Sequence, residues 1–303
     1  MKRILVCGSN GLLGQTLAWM LQKENGYEVL HTSHHRTFYL GNFPFDYTQL
    51  DISNKSDVKS LVTSFRPDAI LNAAAMTNVD ACEKEREQAW KVNVTAVENL
   101  TEVARRINAQ LVHISTDYVF DGKSSPYDER SRVNPINYYG KTKLAGENVI
   151  LKSGIDFAIL RTIVVYGSGI NVRNNFALWV VKSLSEGKKI RCVDDQISNP
   201  THVSDLADAM MKCVKYECKG IYHTSGAEVV SRYDFAVKAA EVFDLDKSLI
   251  DRIKSSELVM PAARPLNTAF IIDKAKNEMQ YNPMGVTEGL TLLKKELHGI
   301  HLN

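Results

Sequence analysis

Short apolar runs recur along the first half of the chain, separated by longer stretches with helical spacing. Residues 3–7, 28–32, 69–72, 110–115 and 157–161 are largely apolar throughout, the pattern of strands buried on both faces. Between them, residues 13–23, 55–65, 88–107 and 137–151 repeat apolar positions every three or four residues and are predicted as helices. Regular strand–helix alternation predicts a parallel sheet with helices on its faces. The fold class is therefore α/β, a Rossmann-like doubly wound sheet. The alternation extends to about residue 165. Beyond it the spacing predicts helices over 176–185, 204–214, 232–243 and 287–297, with strands over 190–193 and 220–223. Residues 166–303 thus form mainly a smaller C-terminal α/β lobe after a first domain over 1–165. No Gly/Ser-rich linker separates the two, so segments near 190–222 are expected to return to the first domain.

Composition narrows the class. Of 303 residues, 44% are hydrophobic and 24% charged, with a formal net charge of +2. This is a globular composition with no strong pull toward nucleic acid or a membrane surface. No apolar run is long enough for a membrane-spanning helix. Met1-Lys2-Arg3 leads directly into Ile4-Leu5-Val6-Cys7, which reads as a first strand rather than a secretory signal. Cys7, Cys82, Cys192, Cys213 and Cys218 are scattered without metal-site spacing, as reduced thiols of a cytoplasmic protein would be.

The first predicted strand runs into Gly8-Ser9-Asn10-Gly11-Leu12-Leu13-Gly14, with a helix opening at Leu12. Glycines here let the backbone turn sharply and approach a diphosphate, and the helix N-terminus presents free N–H groups to the anion. The site expected is that of a dinucleotide. The second strand is followed by Ser33-His34-His35-Arg36, with no carboxylate to bind a ribose 2′-hydroxyl. Arg36 suits a 2′-phosphate, so NADP(H) is expected in preference to NAD(H). His31, His34 and His35 lack a further ligand, and no metal is expected.

Tyr139 and Lys143 form a YxxxK pair on the predicted helix over 137–151, sharing a face at i,i+4. An ammonium beside a phenol lowers its pKa toward the range useful for proton transfer. Tyr138 has Thr142 four positions on and lacks this partner. The strand over 110–115 leads into Ser115-Thr116-Asp117-Tyr118, placing hydroxyls where open α/β sheets bind ligands. Thr116 or Ser115 is expected to hydrogen-bond a substrate carbonyl. Asn72-Ala73-Ala74-Ala75 ends another strand at the same edge, with small residues that let a cofactor lie close.

Together, Ser115-Thr116-Asp117-Tyr118-Val119-Phe120-Asp121-Gly122, Pro126-Tyr127-Asp128-Glu129 and Tyr139 through Glu147 resemble the dTDP-4-dehydrorhamnose reductase family of extended short-chain dehydrogenases. So do Asn72 through Asp80, Val92-Asn93, Asp195-Gln196, Pro200-Thr201, Gly220 through His223, and Arg264-Pro265. The resemblance implies a catalytic triad of Thr116, Tyr139 and Lys143. It further implies cofactor contacts from Gly8, Asn10, Gly11, Leu12, Leu13, Gly14, Arg36, Asp51, Ile52, Ala73, Ala74, Ala75 and Asn93, besides Tyr139 and Lys143. Thr77, Val79, Thr116, Asp117, Tyr118 and Arg264 would contact a nucleotide-sugar held by the smaller lobe. The implied reaction is reduction of the C4 keto group of a dTDP-6-deoxy-hexulose. Two departures leave the sugar open: Ile163 through Gly167 contains no Trp where the family usually has one, and Ile197-Ser198-Asn199 replaces a glycine-containing loop. Pro200-Thr201-His202-Val203 and Tyr222 through Gly226 also resemble the methionine adenosyltransferase regulatory β subunit, a binding partner rather than an enzyme. A homodimer is compatible with the resemblance.

Overall fold

The computed structural model describes residues 1–41 and 43–299. Seven parallel strands form the main sheet. β1 (Lys2–Cys7) lies inside the sheet, with β2 (Tyr27–Ser33) and β3 (Asp46–Gln49) on one side. On the other side follow β4 (Ala69–Asn72), β5 (Gln110–Thr116), β6 (Phe157–Thr162) and the edge strand Gly220–His223. The strand order reverses between β1 and β4, creating the crevice where doubly wound sheets bind ligands.

Alternate residues of each strand supply two cores. Ile4, Val6, Leu71, Val112 and Leu160 pack on one face with α1 (Leu12–Lys23) and the helix Val203–Lys215. Leu5, Ile70, Leu111 and Ile159 pack on the other with α2 (Lys55–Phe65) and the helix Ala96–Ile107. Burial of both strand faces explains why they read as unbroken apolar runs. A third core, containing Val180, Ile190, Phe235 and Leu290, organises the smaller lobe.

Three sequence expectations differ from this arrangement. The single helix expected over 88–107 is divided into Arg86–Trp90, a π-helical turn Lys91–Thr95, and Ala96–Ile107. Of the segments expected to rejoin the first domain, Val203–Lys215 and Gly220–His223 do so. Ile190–Val193 instead pairs with Ile250–Ile253 in a separate two-stranded sheet. β3 was absent from the sequence pattern because its residues, Asp46-Tyr47-Thr48-Gln49, occupy a partly exposed edge without an apolar face.

Candidate active site

The glycine turn joins β1 to α1. Gly8 has φ of +88°, and a Cβ there would lie 2.7 Å from the Ala74 nitrogen at the end of β4. A Cβ on Gly14 would collide with the Gly8 carbonyl. These two glycines allow the protein to pack against itself. Gly11 is different: an added Cβ would meet only the Gly8 carbonyl oxygen, at 3.3 Å. It is the N-cap of α1, so the space beside it adjoins the free N–H groups of the first turn. That open cradle fits a dinucleotide diphosphate. Leu12 and Leu13 pack against the core, leaving their backbone N–H groups for this task.

Asn10 serves the site indirectly. Its Nδ2 donates to Ser33 Oγ at 3.0 Å and to the Thr37 carbonyl at 2.8 Å, while Oδ1 accepts the Tyr39 N–H at 2.9 Å. It therefore latches the loop after β2. Arg36 is exposed on that loop. Asp51 is also exposed, and its Oδ1 accepts the Ser53 N–H and hydroxyl. Ile52 is buried beneath. His31 is buried, with Nδ1 3.0 Å from Ser9 Oγ. Among the described residues, no group of three His, Cys, Asp or Glu could hold a metal. All five cysteines are free and buried.

The helix Tyr138–Leu151 begins at Asn137, whose side chain accepts the Gly140 N–H at 2.8 Å. Only glycine fits at 140, since a Cβ would strike the Tyr118 carbonyl. The start of the helix is thus pressed against the turn after β5, bringing Tyr139 to Thr116. Tyr139 is buried and edge-on to Tyr118, with ring centroids 5.8 Å apart. Tyr138 is half-buried and turns toward Arg86, which lies over its ring.

Burial pushes the Tyr139 phenol well above the usual tyrosine value, although a hydrogen bond with Thr116 pulls it down. Lys143, whose ammonium the YxxxK spacing expects to lower the phenol's pKa, lies one turn further along the same helix. Its Nζ donates to the Ile114 carbonyl at 2.7 Å and lies 3.2 Å from His113 Nε2. Thr116 donates to Asp117 Oδ1 at 3.0 Å. Asp117 also accepts from Thr268 at 2.6 Å, and burial raises its pKa to about 6.

Asn93 uses its side chain within the protein. Its Oδ1 accepts the Met76 N–H at 2.9 Å, and its Nδ2 donates to the Met76 carbonyl and to Thr142 Oγ1. The π-helical turn thereby fixes the backbone beyond Ala73–Ala75 and ties it to the helix Tyr138–Leu151. Ala73, Ala74 and Ala75 are partly exposed at this edge.

A cleft of about 370 Å³ opens beside Tyr118 and Val79 and is also lined by Phe176, Trp179, Arg191, Arg232 and Arg264. Arg264 is paired with Asp80 through both carboxylate oxygens, at 2.6 and 2.8 Å. Its primary contact is therefore this ion pair. Arg232, which the sequence reading missed, lies 4.7 Å above the Phe176 ring. Thr77 is exposed. Asp117 is buried behind Thr116.

Fold and site together are those of the extended short-chain dehydrogenases, a class of NAD(P)-dependent oxidoreductases. Residues 1–298 match the family described as RmlD substrate binding domain, and the chain belongs to that family. It is 35% identical over 298 residues to a dTDP-4-dehydrorhamnose reductase of Aggregatibacter actinomycetemcomitans, covering 93% of this chain and 95% of the relative. A crystal structure of dTDP-4-dehydrorhamnose reductase from Bacillus anthracis in complex with NADP superposes with a TM-score of 0.86 at 32% identity, covering 98% of this chain and 100% of that one. Methionine adenosyltransferase 2 subunit beta of Xenopus laevis is 35% identical over 272 residues, covering 88% of this chain and 79% of the relative.

Proposed function

We propose that the protein reduces the C4 keto group of a dTDP-6-deoxy-hexulose, giving dTDP-L-rhamnose from dTDP-4-dehydrorhamnose. The observation that carries this reading is the meeting of Tyr139 and Thr116, with the Tyr139 ring edge-on to Tyr118, which lines the arginine-bearing cleft. NADP(H) is the preferred cofactor and NAD(H) the alternative, in keeping with the NADP complex of the Bacillus anthracis relative. When bound, the reduced nicotinamide supplies the hydride. Gly11 and the first turn of α1 would hold the diphosphate, Ala73–Ala75 would border the ribose, and the loop carrying Arg36 would meet the adenosine end.

Tyr139 gives its proton to the C4 oxygen as that atom gains negative charge. Its elevated pKa keeps the proton in place until then. Thr116 turns its hydroxyl from Asp117 to orient the carbonyl. Arg232 meets the substrate diphosphate, while Tyr118, Val79 and Trp179 enclose the sugar. The cleft's arginines favour a nucleotide-sugar over an uncharged carbonyl compound. Relatedness to methionine adenosyltransferase 2 subunit beta supports a second reading, a cofactor-binding regulatory subunit. NADPH oxidation with a panel of 4-keto-6-deoxy nucleotide-sugars separates them. Turnover supports the reductase; tight NADPH binding with no turnover of any panel member favours the regulatory subunit.

A further inference from the structure

One buried amide joins the glycine turn to the segment that leads into the cleft. Gln15, in the first turn of α1, is buried. Its Nε2 donates to the Asn10 carbonyl at 2.9 Å and to the Ile170 carbonyl at 2.8 Å, and its Oε1 accepts the Ile170 N–H at 2.9 Å. Both amide protons are thereby used. The Ile170 side chain is exposed, so this residue is held by its backbone. The fit is close: a Cβ on Gly169 would lie 3.1 Å from Gln15 Oε1. On the cofactor side, the Asn10–Gly11 peptide is held at both of its polar groups. Its carbonyl accepts from Gln15, and its N–H donates to the Gly8 carbonyl at 2.9 Å. The peptide is planar, so these two bonds together set its tilt. On the cleft side, residues 167–175 connect the strand Val165–Tyr166 to the helix Phe176–Ser185. Asn175 caps that helix by accepting the Leu178 N–H at 3.2 Å, and its Nδ2 donates to the Gly167 carbonyl at 2.8 Å. The segment is therefore drawn together at its ends and clasped at Ile170 by Gln15. The helix it feeds brings Phe176 and Trp179 to the cleft, with the Arg232 guanidinium 4.7 Å above the Phe176 ring.

We propose that Gln15 is a positioning residue that couples the two sites: through Asn10 and Ile170, a cofactor held at the glycine turn sets the helix Phe176–Ser185 for the nucleotide-sugar. The sugar half of this proposal rests on the reductase reading. A diphosphate at the first turn of α1 favours the tilt of the Asn10–Gly11 peptide that keeps the Asn10 carbonyl engaged with Gln15, because a carbonyl turned to the anion would repel it. Gln15 cannot follow a change in that tilt without disturbing Ile170, since the same Nε2 serves both carbonyls. A shift at Ile170 reaches Asn175 within five residues and passes through the helix cap to Phe176 and Arg232. Such coupling is reciprocal, so the sugar tightens cofactor binding by the same factor by which the cofactor tightens sugar binding. Gln15 acts only through the backbones of two segments and leaves Tyr139 and Thr116 as they are.

Hydrogen–deuterium exchange read by mass spectrometry tests the coupling without any sugar. NADPH added to the wild-type protein should slow exchange at the glycine turn and also across residues 167–185. Unchanged exchange at 167–185 overturns the proposal. Gln15→Met keeps the length of the side chain but offers no amide. At saturating NADPH it should retain the protection at the glycine turn and lose most of that at 167–185. Equal protection of 167–185 in variant and wild type overturns the proposal, and so does exchange that is faster by the same factor with and without NADPH, the result of a merely structural role. Where Gln15→Met does not fold, Gln15→Glu replaces it: a carboxylate can still accept the Ile170 N–H but has nothing to donate to either carbonyl, and the same loss is expected. In steady-state kinetics at saturating NADPH, Gln15→Met should raise KM for the nucleotide-sugar roughly tenfold with kcat nearly unchanged. A fall in kcat at constant KM contradicts the role. Absence of turnover in the wild type would remove the reductase reading, and the exchange result would still decide the coupling.

Discussion

Arg232 and Arg264 enter the cleft with different freedom to act. Arg264 holds Asp80 in a two-point ion pair, whereas Arg232 lies over an aromatic ring with its positive charge directed to the cleft. Arg232→Ala is expected to raise KM for the nucleotide-sugar by roughly ten- to a hundredfold, as for loss of a charge-assisted hydrogen bond. Cofactor affinity should be unchanged. Equal KM values for variant and wild type in steady-state kinetics would remove Arg232 from the site. The Arg264–Asp80 pair joins residues far apart in the chain, so no local motif announces it. Tyr139, Lys143 and the glycine turn were legible because each motif is completed within a few consecutive residues. His113 left one signal, a polar residue inside an otherwise apolar buried strand.

At the scale of elements, the proposed reading divides the cofactor between the βα turn and the loop after β2. A side chain at Gly11 has room within the protein, because only the Gly8 carbonyl oxygen lies near its Cβ. Gly11→Val should therefore fold while blocking the diphosphate. Calorimetric titration with NADPH is expected to show loss of binding, and unchanged affinity in a folded variant would relocate the cofactor. Arg36 lies on a loop held in place by Asn10. Arg36→Ala should weaken NADPH roughly tenfold while leaving NADH nearly untouched, from the loss of one charged contact. Equal weakening of both would show that Arg36 does not read the 2′-phosphate. The π-helical turn Lys91–Thr95 was invisible to periodicity. Helical spacing continues on either side of it, and its cause is tertiary: Asn93 clamps the Met76 backbone.

For the molecule as a whole, the parallel sheet was legible and the return of the chain was less so. Both faces of β1, β4, β5 and β6 are buried, and burial of that kind leaves an unbroken apolar run. Ile190–Val193 shows the same pattern but serves the smaller lobe, because strand propensity does not reveal which partner a strand will find. Burial of Lys143 also affects global stability. Its pKa falls from 10.5 to about 8 on folding, so between those values the unfolded chain binds the extra proton. Stability from this group therefore rises with pH through that window. Thermal unfolding should show wild type gaining on Lys143→Met as pH increases from 8 toward 10.5; a constant difference would contradict the buried, weakly basic amine. The reductase reading meets its most direct test in NADPH oxidation with dTDP-4-dehydrorhamnose by wild type, Tyr139→Phe and Tyr138→Phe. The account predicts turnover by wild type and Tyr138→Phe, with a loss of about 10²–10⁴-fold in Tyr139→Phe at retained cofactor affinity. An active Tyr139→Phe beside an inactive Tyr138→Phe would contradict it.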